Sequence, residues 1–148
     1  MTRLVLISDT HNQCKSLAIP DGDVLVHAGD GTESGDFRGV AAFLAWMERQ
    51  SHPRKIFIAG NHDWMFERDP NIAQMMLRDS YPNITYLQDS GCEIGGLNFW
   101  GSPWQPWFMN WAFNLPRKGA KLREKWNQIP TTSTPEIPAG SSPLITAC

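Results

Sequence analysis

The sequence predicts an α/β fold with a mixed sheet, and three observations predict it. Short apolar runs at residues 3–8, 23–30 and 55–63 each end in small and polar residues. A stretch of helical period separates the second run from the third. A Gly-Gly pair at 95–96 divides two further apolar runs. Strands alternating with helices make βαβ units, and a hairpin adds antiparallel strands to them.

The elements follow in chain order. "RLVLIS" (3–8) is four apolar residues in a row, as in a buried strand. "DVLVHAGD" (23–30) is a second strand, introduced by Pro20 and Gly22. Phe37, Val40, Ala41, Leu44 and Met47 then recur at i, i+3, i+4 spacing, which predicts a helix with Asp36 at its N-cap. "KIFIAGNHD" (55–63), introduced by Pro53, is the third strand. Ile72, Met75, Met76 and Asp79 predict a short helix, capped by Asp69 with Pro70 in its first turn. "ITYLQ" (84–88) is a fourth strand, and "CEIGGLNFWG" (92–101) a hairpin around Gly95-Gly96. "GAKLREKWNQI" (119–129) is a last amphipathic helix, stopped by Pro130. Residues 131–148, "TTSTPEIPAGSSPLITAC", carry one charge and neither period, and read as a flexible tail.

Composition narrows the function. The chain has 148 residues, 41% hydrophobic, enough for one domain with a core. A formal net charge of -2 argues against a nucleic-acid polymer as partner. No run approaches the ~20 apolar residues of a membrane span, and the N-terminal run is too short for a secretory signal. Cys14, Cys92 and Cys148 form neither a disulfide framework nor a Cys-rich zinc site, so a cytoplasmic, reducing location is expected. Oligomeric state leaves no sign.

The first three strands end in Asp9-Thr10-His11, Gly29-Asp30 and Gly60-Asn61-His62-Asp63. The first two alone are ordinary turns, whereas the third is rarer and alone leaves turn and metal site equally open. In an open sheet, however, groups beyond the carboxyl ends of neighbouring strands converge on one crevice. Asp9 offers an oxygen and His11 a nitrogen to a single cation. Asp30 has two oxygens and so the capacity to bridge two ions. Asn61 offers an amide oxygen. His62 suits either a phosphate contact or proton delivery to a leaving group. Two divalent ions so held would make hydroxide available at neutral pH and offset the charge of a phosphate. The glycines before Asp30 and Asn61 let the backbone bend and bring a substrate close. His27, inside the second strand, reads as core, and His52, before Pro53, as surface. Trp100, Trp104, Trp107 and Trp111 admit two readings: core under a long loop, or a cleft wall on which a base stacks.

Asp9-x-His11, Gly29-Asp30 and Gly60-Asn61-His62-Asp63 together resemble the calcineurin-like metallophosphoesterases. "HAGDGTESG" (27–35) and "GSPWQPWFMNWAFNLPRKG" (101–119) resemble the small metallophosphoesterase-domain branch, which includes the adult-brain-protein-type phosphodiesterases. The resemblance runs over about residues 1–130. It implies a β-sandwich flanked by helices, a two-metal site (Mn, Fe, Zn or Mg) and hydrolysis of phosphate esters, most often phosphodiesters, by a metal-activated hydroxide. It also implies roles: Asp9, His11, Asp30 and Asn61 as metal ligands, His62 as the leaving-group acid, Asp63 as its orienting partner, and Asn61, His62 and Trp107 against a small phosphate-ester or nucleotide substrate. The family pattern continues into a strand ending in His and a Gly-His-x-His motif. The histidines here are 11, 27, 52 and 62. The expectation is a C-terminally truncated family member, with residues 131–148 outside the family domain. Its second metal site is then weak, and its alternative is a catalytically impaired remnant binding one metal or none.

Overall fold

In the computed structural model, which describes residues 1–131 and the strand at 144–147, four short strands run parallel in one sheet. They are β1 (Leu4–Ile7), β2 (Val24–His27), β3 (Arg54–Phe57) and β4 (Ile84–Tyr86), neighbours in that order. Side chains alternate along a strand, so the sheet has two distinct faces. Leu25 and Phe57 pack with the helices, whereas Val24, Val26 and Ile56 turn to a second sheet.

Helix α1 (Phe37–Glu48) starts where the sequence predicts: the Asp36 carboxylate accepts the Gly39 N–H at 2.9 Å. Its inward face holds Val40, Leu44 and Met47 as expected, with Phe43 and Trp46. Phe37 is exposed. The large Phe43 ring sets the facing direction, meeting the His27 ring at 4.8 Å and the Phe57 ring at 4.9 Å. A single turn, α2 (Met65–Arg68), precedes α3 (Pro70–Ser80). Pro70 opens α3, but the Asp69 side chain makes no capping bond. Two stripes one residue apart fit the helical period here. The stripe with Ala73 and Leu77 faces the core, and Ile72 and Met75 of the predicted stripe are exposed.

The hairpin forms as predicted: β5 (Ser90–Ile94) and β6 (Leu97–Gly101) pair antiparallel, with Ile94 opposite Leu97. Gly95 and Gly96 take φ of 60° and 76°, the left-handed turn that closes it. The sequence reading placed these strands in one mixed sheet with the others. Instead they form a separate sheet whose Phe99, Cys92, Ile94 and Leu97 cover Val24, Val26, Ile56, Ile58 and Leu87. The result is a β-sandwich with helices on its outer face, the architecture that the family resemblance implied. A ribbon of β7 (Gln105–Pro106) and β8 (Asn114–Leu115) and helix α4 (Ala120–Trp126) follow. The final strand, β9 (Leu144–Ala147), pairs parallel with β6, four residues that the sequence reading assigned to a tail. The rest of that predicted tail, 132–143 and 148, lies outside the described residues.

β1 corrects another expectation. It is an edge strand with no fully buried residue, and Leu6 is 61% exposed. An apolar run records what a strand is able to bury, not its place in the sheet. No helix among the described residues is long and apolar enough to cross a membrane.

Candidate metal centre

Parallel strands point their carboxyl ends the same way, so the segments after β1, β2 and β3 meet at one edge. Backbone bonds continue beyond the strands and lock the first two segments together. Asp9 N–H donates to Gly29 O, His11 N–H to Asp30 O and Asn12 N–H to Gly31 O, each at 3.0 Å. The third segment is stapled on by Asp63. Its carboxylate accepts the Gly60 N–H at 2.8 Å, the Thr32 N–H at 3.0 Å, the Thr32 hydroxyl at 2.8 Å and the Gly31 N–H at 3.3 Å. Four non-glycine residues, Asp9, His11, Asn12 and Asp30, carry positive φ between 43° and 59°. Such backbone is unfavourable for L-residues and persists only where surrounding structure fixes it.

These loops bring donor atoms together. Ligand atoms of His11, Asp30 and His62 lie within 4.8 Å of one another. The imidazole rings of His11 and His62 meet edge to face at 4.6 Å, and Trp111 packs on His62 at 4.2 Å. His62 Nδ1 lies 2.7 Å from the Glu33 carbonyl. A carbonyl only accepts, so in the neutral ring Nδ1 carries the proton and Nε2 keeps the lone pair. His11 Nδ1 is buried without a hydrogen-bond partner, 3.7 Å from the Glu33 carboxylate.

On the other side of Asp30 opens a cleft of about 550 Å³. Asp9, Asp30 and Asn61 line it together, with Trp104, Trp126 and Ile129 among its apolar lining. Asp9 and Asp30 therefore border one space, although they come from different strands. Among the described residues Asp30 alone belongs to both the histidine cluster and the cleft.

Two expected roles do not fit the geometry. Asp63 was expected to orient His62. It is fully buried, its carboxylate is taken up by Gly31, Thr32 and Gly60, and the His62 ring is instead held by Glu33 O and Trp111. Burial pushes the Asp63 carboxyl up from its ordinary value, and the hydrogen bonds oppose that rise. Trp107 was expected against the substrate. It is 53% exposed and outside the cleft lining, where Trp104 and Trp126 stand. Of the remaining histidines, His27 is core as read, while His52 is buried rather than on the surface, with Nε2 3.0 Å from Pro20 O. Glu33 gave no motif signal, since it acts through its carbonyl, and Trp111, noted in the Trp cluster, gave no sign of its ring contact with His62.

The glycines let the loops pack closely against one another. A Cβ on Gly60 would lie 2.3 Å from both the N and Oδ1 of Asp30. Gly60→Ala is therefore expected to displace the Asp30 carboxylate and to cost about 1–3 kcal/mol of stability. Urea midpoints and Mn²⁺ titration of the variant check both effects, and unchanged Mn²⁺ affinity would separate Asp30 from cation binding.

The donor set suits a divalent cation. Two imidazoles and a carboxylate make a mixed N/O set compatible with Mn²⁺, Fe²⁺ or Zn²⁺, and the buried, unpartnered His11 Nδ1 is a polar atom awaiting a partner.

Comparison with known proteins agrees. The family model of the calcineurin-like phosphoesterases matches residues 2–146. Metallophosphoesterase domain-containing protein 1 of Homo sapiens is 41% identical over 149 residues, covering 87% of this chain and 45% of that protein. Its Mus musculus counterpart gives the same identity and coverage. The chain spans about half the length of these curated relatives.

Proposed function

The chain belongs to the calcineurin-like phosphoesterase family, and from that premise we propose that it hydrolyses phosphate esters, phosphodiesters foremost, with divalent cations held by its own side chains. The observation that carries this reading is the meeting of His11, Asp30 and His62 donor atoms within 4.8 Å beside a cleft that shares Asp30. When bound there, a divalent cation supplies the Lewis acidity that activates water and offsets phosphate charge.

The protein's own groups do the rest. His11 and His62 present ring nitrogens, and Asp30 an oxygen, from loops that Asp63 fixes to one another. Asn61 and Asp9 lie on the cleft side, where Asn61 holds a phosphoryl oxygen through its amide. Excluding water falls to the apolar wall with Trp104, Trp126 and Ile129.

A diester is favoured over a monoester on charge. Among the described residues no lysine or arginine lines the cleft, whereas Asp9 and Asp30 do. A monoester gains a second negative charge near pH 6, whereas a diester carries one and has a second organic group for the apolar wall. Bis-p-nitrophenyl phosphate is expected to turn over with Mn²⁺ at least ~10 times faster than p-nitrophenyl phosphate, and His62→Ala to lose at least ~100-fold of that rate. A preference for the monoester would end the diester assignment. Unchanged turnover in His62→Ala would end the site assignment.

A further inference from the structure

Asp89 lies in the turn between β4 and β5, far in sequence from the donor loops, yet three side chains from two segments, the loop after β6 and helix α4, end on its carboxylate. Oδ2 accepts the Trp104 indole N–H at 2.7 Å and the Lys125 ammonium at 2.6 Å. Oδ1 accepts the Ser102 hydroxyl at 3.0 Å. The Lys125 ammonium also sits over the Trp104 ring, 4.6 Å from its centroid. The next residue of α4, Trp126, donates its indole N–H to Trp104 O at 3.2 Å. Trp104 and Trp126 both line the cleft that Asp9, Asp30 and Asn61 share.

Asp89 itself adopts φ of 47°, a conformation that costs energy in a residue with a side chain. Charge-assisted bonds of this length are stronger than neutral ones and hold geometry more tightly. Asp89 is only 12% exposed at its side chain, Lys125 32%, so the pair is partly shielded from water. An indole whose N–H is fixed and whose face carries an ammonium is unable to turn away from the cleft. We infer that Asp89 is a positioning residue, which through Lys125 and Trp104 fixes the aromatic wall that takes the organic group of the phosphoester. This rests on the function proposed above, because it assigns the wall of that same site.

The role of Asp89 separates from that of the cation donors. The donors act on the phosphoryl group, which every ligand of the site shares. Asp89 acts only on what the wall discriminates. Isothermal titration of the full chain in Mn²⁺ with phenylphosphonate and methylphosphonate reads the two apart. The wild type is expected to bind phenylphosphonate about 10-fold more tightly, the scale of one aromatic stack. Lys125→Met keeps the apolar stem over Trp104 but removes the ammonium that ties α4 to Asp89. It is expected to reduce the preference below threefold while methylphosphonate affinity stays within twofold, and Lys125→Arg to restore it. Asp89→Ala is expected to do the same where it folds. A tenfold preference retained in Lys125→Met overturns the inference. So does a parallel loss of both affinities, which is the mark of a merely structural role. Methylphosphonate binding without any phenyl preference in the wild type overturns the inference and leaves the proposed function standing. If neither phosphonate binds, the inference falls, and turnover of bis-p-nitrophenyl phosphate decides the proposed function separately.

Discussion

Asp30→Ala is expected to abolish the stabilisation that Mn²⁺ gives the folded chain, the largest effect of any single side chain at the site. A cation that binds only the folded state raises stability by RT ln(1 + [M]/Kd), about 2.7 kcal/mol at a hundredfold excess over Kd. Among the described residues Asp30 is the one common to the histidine cluster and the cleft, so its loss reaches both. Losing even an outer partner of a ligand costs 10–100-fold in affinity, and a direct carboxylate donor is expected to cost at least ~100-fold. The stabilisation then vanishes at the same Mn²⁺ concentration. Asp30 also has a structural task, since its Oδ1 accepts the His62 N–H at 2.8 Å. Asp30→Asn separates the tasks, because an amide oxygen keeps that bond and loses the charge. Thermal melts with and without Mn²⁺ are the measurement. Asn is expected to melt near the wild type without metal and to show no Mn²⁺ shift. Ala is expected to melt lower and also to show none. A full Mn²⁺ shift in Asp30→Ala would locate the cation elsewhere.

What was legible in the sequence follows from what a local pattern encodes. The four parallel strands, α1 with its Asp36 cap, and the Gly95-Gly96 hairpin were legible, because each is set by spacing or turn chemistry within a few residues. The convergence of Asp9, His11, Asp30, Asn61 and His62 was legible too, since it needs only strand ends and a parallel sheet. Sheet membership was not. Nothing in "LVLI" distinguishes an edge strand from a central one, and nothing in residues 90–101 states that the hairpin leaves the first sheet to face it. The helix stripe at 70–80 slipped by one residue because both stripes fit the period. The role of Asp63 failed on proximity in sequence: it adjoins His62, but its side chain points into the backbone of the second loop. Glu33 O, the contact of Trp111 with His62 and the role of Asp89 were invisible, because the partners lie 13 to 49 residues away and depend on the finished fold.

Acid is expected to weaken the fold through His27. His27 is fully buried, between the rings of Phe43 and Phe57. Its Nε2 lies 2.9 Å from the Thr10 hydroxyl, whose own proton points to Gly31 O at 3.4 Å, so Nε2–H donates. Nδ1 is left as a bare lone pair with no partner. A second proton would sit there as a buried N–H without an acceptor. Burial accordingly lowers the His27 pKa from 6.5 to about 4, against an upward pull from Asp9 and with a further downward push from His11. The unfolded chain takes up this proton near pH 6.5 and the folded chain only near 4. Between those values the unfolded state binds more protons, so stability rises with pH and is lost as pH falls. The stabilising contribution is fully present above 6.5 and gone below about 4, a difference of about 3 kcal/mol. His27→Gln keeps a donor for Thr10 and does not titrate. Urea unfolding from pH 7 to 4 is expected to give the wild type a steeper loss than the variant by that amount. Parallel curves would mean that His27 is charged in the folded protein, with a buried acceptor for its second proton.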